Sequence, residues 1–162
     1  MPGYGAHTEP YSDEDEVKNW LLSLPISVGG GILDTVSVEE LERWQFQADQ
    51  MIDGRLSATY IVPLVKVKAG GATAFYPPPI PMLAAKLSAY LIATRVLTGL
   101  SGEAAQMAAM WWTDVEKELT LLTAGEHRPE RILMGHYKRL RGRNRFMPPS
   151  LMPSTGVVED KG

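Results

Sequence analysis

Cysteine is absent from the 162 residues, so the chain has no disulfide, no thiolate metal ligand and no cysteine nucleophile. Secretion gains no support, and an intracellular setting is the expectation. Histidine is scarce: His7 lies near the start, His127 and His136 near the end, and no serine or paired carboxylate stands beside a base in the sequence. The opening MPGYGAHTEPYSDEDE lacks the basic and apolar regions of a signal peptide. Long hydrophobic runs are missing too. Pro81 to Leu100 is broken by small and polar residues too often for a membrane span, so no membrane association is expected. Gly29-Gly30-Gly31 lacks the spacing and lysine of a phosphate-binding loop and reads as a flexible connection. These absences leave no catalytic residue, no cofactor site and no metal site to assign, and an enzyme is not expected.

With 44% hydrophobic and 22% charged residues, the composition is that of one globular domain with tails. A net charge of -3 conceals a split. Residues 1–125 hold eight Lys or Arg against fifteen Asp or Glu, whereas residues 126–147 hold seven against two. An acidic body with a basic tail points to an interaction tail.

Hydrophobic periodicity predicts an all-α fold, a small bundle of about four helices. Pro81 to Thr98 carries no charge except Lys86 and Arg95, and its apolar residues wrap much of the circumference, as in a central helix. Its small residues Ala84, Ala85, Ser88, Ala89 and Ala93 allow close approach, and Pro77 to Pro81 and Gly99 delimit it. Residues 1–11 read as an arm without regular structure. Ser12 is the expected N-cap of a first helix with Asp13 to Glu16 in its first turn, ended by Pro25. The second helix starts at Ser37, in a capping box with Glu40, and presents Leu41, Trp44, Ala48, Met51, Ile52 and Leu56 as its apolar stripe. Asp49 and Asp53 share a face beside that stripe, but no His lies nearby in sequence to complete a site. The fourth helix, about Gly102 to Thr123, is capped by Ser101.

Two segments depart from this pattern. Residues 60–76 combine β-branched and aromatic residues, alternating lysines and a Gly-Gly turn, which predicts a β-hairpin-like excursion between helices two and three. Pro63 confines it to an edge or protrusion, and a lone hairpin needs cover from the helices or from a neighbouring subunit. Its candidate contact residues are Val65, Lys66, Lys68, Phe75 and Tyr76. Trp112 joins them, because Trp111 and Trp112 cannot share one helix face, though a place at the rim of the core serves equally. The basic tail carries Arg128, Arg131, Tyr137, Lys138, Arg139, Arg141, Arg143, Arg145 and Phe146. Two readings compete for it: an arm for phosphates with aromatic residues to stack, or an arm that docks on a protein.

The order of elements resembles that of the head-tail connector adaptor (head completion) proteins of tailed bacteriophages. An acidic-capped first helix, the run Ala48 to Leu56 (ADQMIDGRL), a Pro-containing excursion and the Pro-Pro-x-x-Pro entry into an Ala-rich helix at Pro78 to Leu91 carry the resemblance, over roughly residues 11–125. It implies a structural protein of the virion neck, assembled in the host cytoplasm as a homo-oligomeric ring, commonly a dodecamer, between the portal protein and a neck or tail completion protein. Double-stranded DNA would pass through the ring without specific binding. The tail from Arg128 to Phe146 would then dock on the portal, and the excursion would contact the adjacent subunit or line the channel. The implied division is an arm over 1–11, a helical domain over 12–125 with its excursion at 60–76, and a docking tail over 126–162. Read without the resemblance, the alternative is a nucleic-acid-binding protein with a basic arm.

Overall fold

Helices form here where a short polar side chain stands ready to take up the freed amides of a first turn. The structure, a computed structural model, describes residues 7–25, 35–66, 73–97 and 100–124. Over these residues the helices are α1 (Glu14–Leu22), α2 (Val38–Leu56), α3 (Ile80–Arg95) and α4 (Gly102–Ala124), which bears out an all-α bundle. Ser37 accepts from the amide of Glu40 at 3.2 Å and Ser101 from that of Ala104 at 3.2 Å, as their positions predict. At α1 the cap lies one residue later than expected. Asp13 accepts from the Asp15 amide at 2.8 Å, because Ser12 is buried and its hydroxyl takes a different donor, Gln45 Nε2. The central helix has no side-chain cap and a proline in its first turn, where the missing amide costs nothing.

Ten of the sixteen residues of α3 are buried. It packs against α1, α2 and α4, and α2 also meets α4. The core divides between two faces of α3. On one, Ile80, Leu83 and Leu87 join Ile52 and Leu56 of α2 and Val115, Leu119 and Leu122 of α4. On the other, Ala85, Ala89 and Ala93 make room for Val17 and Leu21 of α1 and for Ala104, Ala108 and Trp111 of α4. Trp20 closes this second cluster edge-on against Trp111, with ring centroids 5.6 Å apart. Lys86, the charge in the middle of α3, lies over the Trp20 ring at 4.9 Å and pairs with Asp114 at 2.9 Å.

Among the described residues there is no β-strand; Tyr60 and Phe75 each hold an isolated bridge position. The tip of the expected hairpin, residues 67–72, lies outside the described residues, as do residues 1–6, the Gly29 to Gly31 run and the tail from residue 125. No helix among the described residues is long and apolar enough to cross a membrane.

The alanine face of α3 is a packing requirement rather than a propensity effect. Replacing fully buried Ala89 by Leu should lower stability by about 1–3 kcal/mol through overpacking. Exposed Ala109→Leu should stay within about 0.5 kcal/mol of the native chain. Urea unfolding of the two variants separates these outcomes.

Candidate functional site

One face of α2 carries Gln45, Asp49 and Asp53 at four-residue intervals, so the three side chains stand in a row along the helix. Residues 7–12 lie across that row. Gln45 Nε2 donates to the Ser12 carbonyl at 2.9 Å and to its hydroxyl at 3.1 Å. The Tyr11 amide donates to Asp49 Oδ2 at 2.9 Å, and the Tyr11 hydroxyl donates to Asp53 Oδ1 at 2.7 Å. His7 Nε2 and Asp53 Oδ2 share a hydrogen bond of 2.7 Å. The His7 and Tyr11 rings meet edge-on at 4.6 Å. Residues 7–12 thereby bond to all three side chains of the row.

Tyr11 also reaches beyond α2. Its hydroxyl accepts from the Leu64 amide at 2.7 Å, and its ring packs edge-on against Tyr76 at 4.9 Å. Lys66 pairs with Glu9 at 2.8 Å and lies over the Tyr76 ring at 5.3 Å. Both ends of the α2–α3 connection are therefore held by residues 9–11. Tyr60, at its start, donates to the Leu122 carbonyl in the last turn of α4 at 2.6 Å.

Electrostatically the row is unusual for an acidic pair. Asp49 is fully buried, and its Oδ1 meets no donor among the described residues. Burial drives its carboxyl up from the ordinary 3.8 to about 7, against the opposing influence of the Tyr11 amide and His7. Burial raises Asp53 as well, offset by the Tyr11 and His7 hydrogen bonds. The Tyr11 phenol is held well above its usual value, by burial first and by Asp53 second.

Of the contact residues expected from the sequence, Lys66 and Tyr76 are used inside the chain in the contacts just given. Phe75 is half-buried, and Val65 is exposed. Trp112 is half-buried and stacks on Tyr90 at 5.3 Å, a place at the rim of the core. Lys68 and the tail residues from Arg128 to Phe146 lie outside the described residues. His7, Tyr11, Asp49 and Asp53 were not foreseen as a group. The spacing of the two aspartates was visible, but their partners lie 38 to 46 residues away in sequence. His7 and Tyr11 lie against α2, bonded to Asp53 and Asp49, and Tyr11 is buried there.

Among the described residues no group of three or more His, Asp or Glu side chains is placed to hold a metal ion. His7 Nε2 and the amide and hydroxyl of Tyr11 meet partners within the chain, so the geometry serves as a fastening. No family model, curated protein or solved structure matches this chain.

Two outcomes follow from the fastening. Tyr11→Phe strips Asp53 and the Leu64 amide of a buried partner and should cost about 1–3 kcal/mol in urea unfolding. The native fold keeps on Asp49 a proton that the unfolded chain releases from near 3.8, while the folded carboxyl releases it near 7. Its contribution is thus complete below the lower value and is lost as pH rises toward the upper one, by at most about 1.4 kcal/mol per pH unit. Measured against Asp49→Asn across that interval, the native chain should lose ground steadily as pH rises; a constant difference would refute the burial effect.

Proposed function

We propose that the chain is a structural head-tail connector adaptor of a tailed bacteriophage, without chemistry of its own, forming a ring between the portal and the neck or tail. The observation that carries this reading is the Tyr60 bond to Leu122. It joins the start of the α2–α3 connection to the last turn of α4, the two points from which the segments assigned to contacts with other proteins begin. The four-helix order around an Ala-rich α3 entered through Pro77 to Pro81 is in keeping with it. In this reading the connection extends as a hairpin-like excursion toward the adjacent subunit or the channel, and the basic tail docks on the portal.

Charge supports the same assignment. A body with fifteen Asp or Glu against eight Lys or Arg over residues 1–125 does not hold passing phosphates, as a basic lumen would. One heterologous contact repeated around a closed ring multiplies modest interfaces, and a tail that binds only its partner lets assembly wait for the portal. The concentration of basic residues at 126–147, interleaved with Tyr137 and Phe146, favours a nucleic-acid-binding arm as the second reading.

Limited proteolysis of the full chain, alone and mixed with purified portal rings, separates the two. Cleavage after residue 125 that is suppressed by the portal, together with an added ring in electron micrographs, is the result expected of a connector. Equal cleavage in both states contradicts portal docking. Retention on double-stranded DNA that falls steeply with salt, with no portal complex, would favour the nucleic-acid arm.

A further inference from the structure

We propose that residues 7–12 are a releasable strap: seated on the Gln45, Asp49 and Asp53 row, they hold both ends of the α2–α3 connection, and their departure frees that connection to rearrange. This goes beyond the connector reading and does not rest on it. The coupling is geometric. Tyr11 alone links α2, through Asp49 and Asp53, to the outgoing limb, through Leu64, and to the returning limb, through the Tyr76 ring. Glu9 doubles the link through Lys66, and the Tyr76 hydroxyl lies 3.4 Å from the Glu9 carbonyl. Removing the strap would uncover the Leu64 amide, the Asp53 carboxylate and the face of Tyr76 together. The helices would stay joined through α3, since the core residues of α3 and α4 meet each other directly.

Proton release from Asp49 is the built-in trigger. The charged form would be fully buried, with one donor, the Tyr11 amide, on Oδ2 and none among the described residues on Oδ1. The ionisable groups that face it are His7 and Tyr11 from the strap and Asp53 from its own helix, where the last is a like charge. Charges on the surrounding elements are committed elsewhere: Lys66 to Glu9, Lys86 of α3 to Asp114 of α4, and Arg55 to Glu116. Among the described residues His7 is the group whose influence opposes burial of Asp49 through charge, and it is hydrogen-bonded to Asp53. The carboxyl is raised to about 7 from 3.8, so the seated strap holds a proton that the released strap does not, and release is favoured as pH rises between those values.

Amide hydrogen exchange of the full chain, corrected for intrinsic exchange, reads the release directly. Between about pH 5 and 7, protection at Tyr11 and at residues 60–66 should fall together, by up to about tenfold per pH unit, and level off above that. Amides of α3 and α4 should keep their protection. Asp49→Asn should flatten the fall, leaving the smaller dependence that belongs to Asp53, and Tyr11→Phe should lower protection at Leu64 at every pH. Three results would overturn the proposal: residues 60–66 that stay protected while Tyr11 is released, a loss of protection shared equally by α3 and α4, or a slope as steep in Asp49→Asn as in the native chain.

Discussion

A helix that is apolar around most of its circumference has to be covered by its neighbours, and that constraint organises this protein. Ten of the sixteen residues of α3 are buried, so α1, α2 and α4 each turn their apolar stripe toward it. The distribution of side-chain size around α3 then decides where each neighbour sits. Large residues on one face meet large residues of α2 and α4, while alanines on another face let α1 and the alanine-rich start of α4 come close. Lys86 fits this scheme because its ammonium lies over the Trp20 ring and pairs with Asp114.

Packing α2 on α3 leaves a row of polar side chains along another face of α2, and residues 7–12 cover it. Burying Asp49 is costly unless its hydrogen bonds are met or its charge is removed. Here one oxygen is met by the Tyr11 amide and the charge is removed by retaining the proton toward neutral pH. The fastening is strong when the carboxyl is neutral and weaker when it is not. Such a pair of states suits a segment that must hold in one setting and yield in another. In a ring-forming connector, the limbs held by the strap are those proposed to meet the next subunit.

The bundle was largely legible in the sequence, and the strap was not. Periodicity places all four helices, and the Ser37 and Ser101 caps stand where their spacing puts them, because these are local features decided within one turn. Ser12 misled for a local reason with a distant cause: Gln45, 33 residues on, engages it and passes the cap to Asp13. Asp49 and Asp53 read as flanking an apolar stripe, since their burial depends on a covering segment that contributes no helical or strand pattern. The clue was present in Tyr11, an aromatic residue just before a capped helix, but its partners are set by tertiary packing alone. Trp112, off the main stripe, stacks on Tyr90 of the same chain, a partner that its own helix does not reveal.

The response of the strap to pH depends on how Asp49 is held, and its carboxyl carbon reports that directly. In a nuclear magnetic resonance titration of the full chain, the Asp49 carboxyl resonance should move with a midpoint near 7, far above its ordinary 3.8, and the Tyr11 amide resonance should move with it. A midpoint near 3.8, with the Tyr11 amide unaffected, would mean that the carboxylate is solvated and that residues 7–12 are not seated on α2.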